Sequence, residues 1–172
     1  MTEIILAAPG DFPRVRAFYH SLIDEMQSLP TFPGWEKDVF PTDAALLDYI
    51  SQGEMHLLTV GGELAGAMAL NGSDSFGDMC WPSGASDGGF SVVHLLAVHP
   101  RFGRRGLGRQ LVGFALDAAR EQGLKAVRLS VADNNTPAQR LYDSMGFLRV
   151  GDMTEVFDDG SSMHFYLCER PL

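Results

Sequence analysis

The residues that invite chemistry gather in one turn. Arg101, Arg104, Arg105 and Arg109 surround the run Gly103-Arg104-Arg105-Gly106-Leu107-Gly108, in a chain with only 13 Lys and Arg. Glycines let the backbone approach a ligand closely and adopt positive φ. The run opens onto an amphipathic segment, and a helix N-terminus offers unpaired N–H groups at the positive end of its dipole. An anion suits such a turn, and a pyrophosphate is its natural guest. A Gly-rich surface turn with solvated arginines fits the same residues. The spacing is neither the dinucleotide G-x-G-x-x-G nor a P-loop, because no Gly-Lys-Ser/Thr follows.

Two titratable residues stand out beyond the turn. Tyr142 carries a phenol of ordinary pKa near 10, which can protonate a leaving group without ionising at rest. His94 carries an imidazole suited to taking a proton near neutrality. Tyr142 also fits the inward stripe of a helix, and His94 fits a satisfied histidine in an apolar strand. The histidines, at 20, 56, 94, 99 and 164, show no metal-ligand spacing, so no metal is expected. His99 reads as a turn residue. No G-x-S-x-G elbow is present. Trp35, Phe40 and Trp81 lie in loops, where they face a substrate or simply pack. Glu36, Asp38 and Asp78 near them would meet a cation, or water.

These groups need elements to hold them. Residues 3–7 read as a strand, and Asp11 caps a helix with Val15, Phe18, Tyr19, Leu22 and Met26 on one face. Prolines punctuate residues 29–41 and forbid a helix there. Thr42 opens a second helix, with Leu46, Leu47 and Ile50 inward and Gly53 at its end. Residues 56–60 and 63–70 form a hairpin around Gly61-Gly62. Residues 71–89 are a long loop rich in Gly, Ser and Asp, of a kind usually functional or disordered. Phe90–Val98 is a nearly continuous apolar strand. A helix over 106–122 turns Leu107, Leu111, Phe114, Ala115 and Ala118 inward, and a strand follows over 125–131. Thr136 is the expected N-cap of a helix striped by Ala138, Leu141, Tyr142 and Met145. Strands at 147–157 and 162–168 close the chain around Asp158-Asp159-Gly160. The order βααββ–βαβα–ββ describes an α/β domain with a central mixed sheet.

With 172 residues, one domain over 1–172 is expected. No apolar run approaches the roughly 18 residues of a membrane span. The first residues lack the basic start of a signal peptide. Cys80 and Cys168 suit a reducing, cytoplasmic compartment rather than a disulfide framework. A net charge of −9 argues against a nucleic-acid partner. It suits a cationic amine, although solubility alone explains it.

The stretch 93–111, Val-His-Leu-Leu-Ala-Val-His-Pro-Arg-Phe-Gly-Arg-Arg-Gly-Leu-Gly-Arg-Gln-Leu, resembles the acetyl-CoA loop of the GNAT N-acyltransferase superfamily, written Q/R-x-x-G-x-G/A. Gly103, Gly106 and Gly108 carry the match. Gly103 departs from the usual Gln or Arg, and Arg104 would supply the missing side chain. Asn135-Thr-Pro-Ala138-Gln-Arg-Leu141-Tyr142, then Met145-Gly146-Phe147, resembles the superfamily element N-x-x-A-x-x-L-Y…G-F.

The resemblance implies a single-domain fold. Its mixed, mostly antiparallel sheet would have about seven strands flanked by about four helices, with a V-shaped gap between strands 4 and 5. The CoA-binding half would cover about 90–147. Strand 4 would carry a bulge, freeing backbone groups of Leu96, Ala97 and Val98 to pair with the pantetheine arm. A backbone N–H there would meet the thioester carbonyl. Arg104, Arg105, Arg109 and the amides of Gly103, Gly106, Leu107 and Gly108 would hold the phosphates. Asn135 would reach the CoA arm, and Ala138 would let it lie close. Tyr142 matches the frequent general acid, and His94 stands where many members place a Glu base. The implied reaction moves acetyl from acetyl-CoA to a primary amine of a small molecule or peptide. A non-catalytic acyl-CoA-binding module, or a longer acyl group, remains open. Residues 29–41, loop 71–89 and the last hairpin would wall the acceptor pocket. Neither nucleic acid nor membrane is an expected partner, and the chain would act as a monomer or homodimer.

Overall fold

A computed structural model describes residues 1–77, 79–157 and 160–172. Asp78 and Asp158-Asp159, named above as a candidate charge and as part of a turn, lie outside the described residues. Seven strands and four α-helices follow the expected order. They are β1 (Thr2–Leu6), α1 (Phe12–Met26), α2 (Asp43–Ser51), β2 (Met55–Val60), β3 (Glu63–Asn71), β4 (Phe90–Val98), α3 (Leu107–Glu121), β5 (Ala126–Ala132), α4 (Thr136–Ser144), β6 (Leu148–Val156) and β7 (Ser162–Pro171). The hydrogen-bonded strand order is β1-β2-β3-β4-β5-β7-β6.

The chain divides into two compact units, residues 1–70 with 94–113 and residues 71–93 with 114–172. The first holds β1 to β3, the second half of β4, α1, α2 and the start of α3. Its β1 and β2 pair antiparallel, as do β2 and β3 across Gly61-Gly62. Both of those glycines have positive φ, which right-handed strand twist favours in a two-residue turn. Its core joins Val15, Phe18, Tyr19, Leu22 and Ile23 of α1 to Leu46 and Ile50 of α2 and to Met55, Leu57 and Ala67. Leu47, expected inward, is exposed, because α2 buries only the i, i+4 pair Leu46 and Ile50. Thr42 caps α2 as expected, its hydroxyl accepting from the Ala45 N–H at 3.1 Å.

The second unit holds the first half of β4, β5, α4, β6, β7 and the rest of α3. In it β4 and β5 run parallel, but only Phe90, Ser91 and Val92 find partners. Pairing ends at Val92↔Arg128 although β5 continues to Ala132, which is the parting expected at strands 4 and 5. β7 pairs antiparallel with both β5 and β6. It reaches Pro171, three residues beyond the expected end at 168, because Ala126 at the start of β5 gives it a partner there.

Two further helix expectations change. Along α3 the fully buried positions are Leu107, Leu111, Val112, Ala115, Leu116 and Ala119, while Phe114 and Ala118 are half-buried. The cap of α4 is Asn135, not Thr136. The Asn135 side-chain oxygen accepts from the Ala138 N–H at 3.3 Å, and Thr136 with Pro137 forms the first turn. An Asn caps as well as a Thr, and Pro tolerates either of the first helical positions.

Loop 71–89 is tied down by a buried charge. Arg128 on β5 is 3% exposed and Glu169 on β7 is 0% exposed. The guanidinium donates to the Glu169 carboxylate at 3.2 Å, to Asp74 at 3.2 Å and to the Ala85 carbonyl at 2.7 Å. Its flat faces meet Phe90 and Trp81, with ring centres 3.7 and 4.1 Å away. Ser83 closes the cluster by donating its N–H at 2.8 Å and its hydroxyl at 2.7 Å to Glu169. Three loop residues thus satisfy a charge pair that would otherwise be costly to bury.

Candidate functional site

In the first unit, β4 does not run straight. Leu95 has φ 53°, a left-handed conformation that a branched residue adopts at a cost, as at β-bulges. Its carbonyl accepts a hydrogen bond from the Tyr19 hydroxyl at 2.8 Å. The kink stands one residue before Leu96, Ala97 and Val98, the backbone segment singled out by resemblance. Ala97 is buried, while Leu96 and Val98 are half-buried.

The strand then turns through His99. That histidine is the turn residue expected, with Nδ1 accepting from the Arg101 N–H at 3.4 Å. It is also buried, with Nε2 3.0 Å from Ser21 Oγ and 3.6 Å from Glu25. A single 3₁₀ turn, Pro100–Phe102, leads into the Gly-rich run.

Arg104 and Gly106 both have positive φ, at 61° and 71°. The Gly106 carbonyl accepts from the Gln110 N–H at 3.1 Å and so starts α3. The N–H groups of Leu107, Gly108 and Arg109 fall in the helix's first turn, where no carbonyl within the helix can reach them. This is the Gly-rich helix start expected at this place in the chain. Gly103 is glycine for another reason. Its φ is −57°, open to any residue, but an added Cβ would lie 3.0 Å from the Pro100 carbonyl oxygen. A side chain at this position would therefore press on the preceding turn. Arg101 pairs with Glu63 at 3.0 Å, and both Arg101 and Arg105 lie near the Phe102 ring, at 5.7 and 5.5 Å.

His94 is half-buried, and its ring lies 5.8 Å from that of Tyr49 on α2 at an interplanar angle of 30°. Tyr49 keeps its phenol proton above the usual range, first through burial and then through Glu54 and Asp48 nearby. Trp35 sits among Tyr19, Phe32 and Phe40, at 5.9, 6.1 and 6.2 Å. Phe40 is 49% exposed. Asp38, considered for a cationic substrate, already holds Arg16 at 2.6 Å. His20, Asp38 and Asp43 converge within 4.8 Å, a juxtaposition no sequence spacing announces. Arg16 also pairs with Asp43 at 2.8 Å, so fixed positive charge occupies this cluster.

In the second unit, Asn135, Ala138 and Tyr142 share α4. Tyr142 is 6% exposed and lines a cavity of about 150 Å³ with Val131, Gln139, Arg149, Tyr166 and Cys168. Burial, reinforced by Cys168, holds the Tyr142 phenol well above its ordinary pKa. Burial likewise pushes the Cys168 thiol up to about 11. Tyr142 therefore stays protonated throughout the neutral range. Strand alternation separates it from Trp81. Val131 and Cys168 point to the Tyr142 side, whereas Arg128 and Glu169, against which Trp81 and Ser83 sit, point to the other. Trp81 thus spends one ring face on Arg128.

The described fold is that of an α/β protein whose kinked strand β4 runs into a Gly-rich helix start at α3. Residues 17–147 match the family described as the Acetyltransferase (GNAT) family. The chain belongs to that family. A 57-residue stretch is 46% identical to a mycothiol acetyltransferase of Thermomonospora curvata, over 33% of this chain and 19% of that protein. An 88-residue stretch is 35% identical to an L-methionine sulfoximine/L-methionine sulfone acetyltransferase of Salmonella typhimurium, over 51% and 49%. The matches thus cover from about a fifth to about half of these relatives' lengths. The fold is similar to that of yncA, a putative acetyltransferase from Salmonella typhimurium solved with acetyl-CoA. The TM-score is 0.72 at 21% identity, covering 100% of this chain and 94% of that one.

Proposed function

We propose that this protein transfers an acetyl group from acetyl-CoA to the primary amine of a small molecule or peptide, by direct attack in a ternary complex. One observation carries the reading. In a GNAT family member, a strand kinked at Leu95 leads into a helix start with positive φ at Arg104 and Gly106. The amides of Gly103 and Gly106–Gly108, with Arg104, Arg105 and Arg109, bind the pyrophosphate. Leu96–Val98 pair with the pantetheine arm as an added strand would. Ala138 gives the arm room. Asn135 meets it with the side-chain amide nitrogen, since its oxygen is spent on the helix cap.

His94 takes the proton that the acceptor ammonium must lose. The stacked Tyr49 ring limits the directions its imidazole can adopt. The amine nitrogen then bonds to the acetyl carbon, the carbon–sulfur bond breaks, Tyr142 gives its proton to the departing thiolate, and the second proton shed by the nitrogen restores the phenol. Holding both reactants in one site supplies much of the rate, and proton transfer adds roughly 10²–10⁴-fold. Of the three loop aromatics, Phe40, 49% exposed, is the one left free to meet an acceptor, since Trp35 packs on Tyr19 and Trp81 on Arg128. The relatives named for mycothiol and for methionine derivatives support a small amine acceptor.

The test is free-thiol release from acetyl-CoA in the presence of amino acids, polyamines and peptides, alongside calorimetry with CoA. Release stimulated by one amine class supports the reading. Tight CoA binding without stimulated release identifies a binding module instead. No CoA binding refutes both.

A further inference from the structure

We propose that Tyr19 is a positioning residue for acyl-CoA: its hydroxyl holds the left-handed kink at Leu95 and thereby aims the backbone of Leu96–Val98. This rests on the assignment of Leu96–Val98 to the pantetheine arm.

Leu95 lies inside β4 with φ 53°. Crowding of Cβ against the backbone disfavours that region for a leucine. Something must keep the strand from relaxing to a regular path, and a shift of one residue would turn every following side chain to the opposite face. The Tyr19 hydroxyl is placed to do so, donating to the Leu95 carbonyl at 2.8 Å. The bond is protected, since Tyr19 is 0% exposed. Its ring is boxed edge-on by Phe18 at 5.2 Å and tilted against Trp35 at 5.9 Å, so the hydroxyl has little freedom to leave. Burial also holds the phenol far above its ordinary pKa, which keeps it a donor. A part-buried carbonyl that loses a hydroxyl donor forfeits that bond and pays part of its desolvation cost. Without the hydroxyl, the kinked conformation thus keeps its crowding at Leu95 and loses the bond that offsets it. Trp35 acquires a role here as well, as the ring that backs Tyr19.

The experiment compares the wild type with Tyr19→Phe, using calorimetry with acetyl-CoA and with adenosine 3′,5′-bisphosphate. The bisphosphate carries the nucleotide end of CoA without the pantetheine arm. Tyr19→Phe is expected to weaken acetyl-CoA roughly tenfold and to leave the bisphosphate within about twofold. Adding Leu95→Gly should restore most of the acetyl-CoA affinity, because glycine accepts positive φ without crowding. If Tyr19→Phe alone does not fold, the doubly substituted chain must fold and bind acetyl-CoA. Failure of that rescue overturns the proposal. So does unchanged acetyl-CoA affinity in Tyr19→Phe, or equal weakening of both ligands. If the wild type binds acetyl-CoA no tighter than the bisphosphate, the pantetheine assignment itself falls, and the proposal with it. That outcome shows in the wild type before any variant is made.

Discussion

Replacing Arg128 by Met should destabilise the protein more than any surface charge removal. The guanidinium makes three hydrogen bonds, to Glu169, Asp74 and the Ala85 carbonyl, and lies between two aromatic rings. Met keeps much of the apolar stem but leaves the 0% exposed Glu169, among the described residues, with the two donors of Ser83. Removing one partner of a buried ion pair costs about 3–5 kcal/mol. At about 2–4 °C per kcal/mol for a chain of this size, the midpoint should fall by roughly 6–20 °C. Urea unfolding followed by far-UV circular dichroism measures the free energy. Limited proteolysis should show faster cleavage within residues 71–89, since Asp74, Ser83 and Ala85 lose their anchor. Arg128→Met with Glu169→Leu removes both charges and should recover at least about 1 kcal/mol of the predicted sum. A single-variant loss below about 1 kcal/mol, or strict additivity in the double variant, would refute the view that this pair clasps the loop.

The remaining expectations concern the site and the pH response. Tyr142→Phe should cut turnover about 100-fold with CoA affinity nearly unchanged by calorimetry, and equal turnover removes it as the acid. His94→Ala should depress the rate most near neutral pH and least where the amine is already unprotonated, and a uniform loss across the profile excludes a base role. Gly106→Ala meets no atom within 4 Å, so its cost is conformational, about 1–2 kcal/mol for a residue held at φ 71°. A weaker CoA complex should accompany it, and unaltered CoA affinity would place the phosphates elsewhere. His56 is half-buried, and burial lowers its pKa below 6.5 despite a hydrogen bond with the Glu54 carbonyl. The unfolded chain therefore binds the extra proton first. Stability should be full above about pH 6.5 and fall as pH drops below it. Melting curves at pH 7.5 and 5.5 should show this slope reduced in His56→Gln, and an unchanged slope would assign it to other groups.

Much of this protein was legible in the chain itself. Elements with a strong period or a hard stop came out within a residue or two, because local sterics decide them: β4 ends before His99-Pro100, and α3 begins after Gly106. The Gly-rich helix start was legible for the same reason, since glycine positions and a helix start are local properties. The resemblance of residues 93–111 and 135–147 pointed to the family that the match over residues 17–147 shows. What the sequence could not supply were the long-range partners. Tyr19 read only as one apolar position on α1, yet its hydroxyl meets a carbonyl 76 residues away. Loop 71–89 carried no periodicity, yet it is held by Arg128 and Glu169, 41 residues apart. Asp38 looked available to a cationic substrate until Arg16 was found against it. Periodicity reports which face of an element is buried, but only tertiary structure decides which polar atom that burial must satisfy. In this protein those buried bonds set the kink at Leu95 and order the loop.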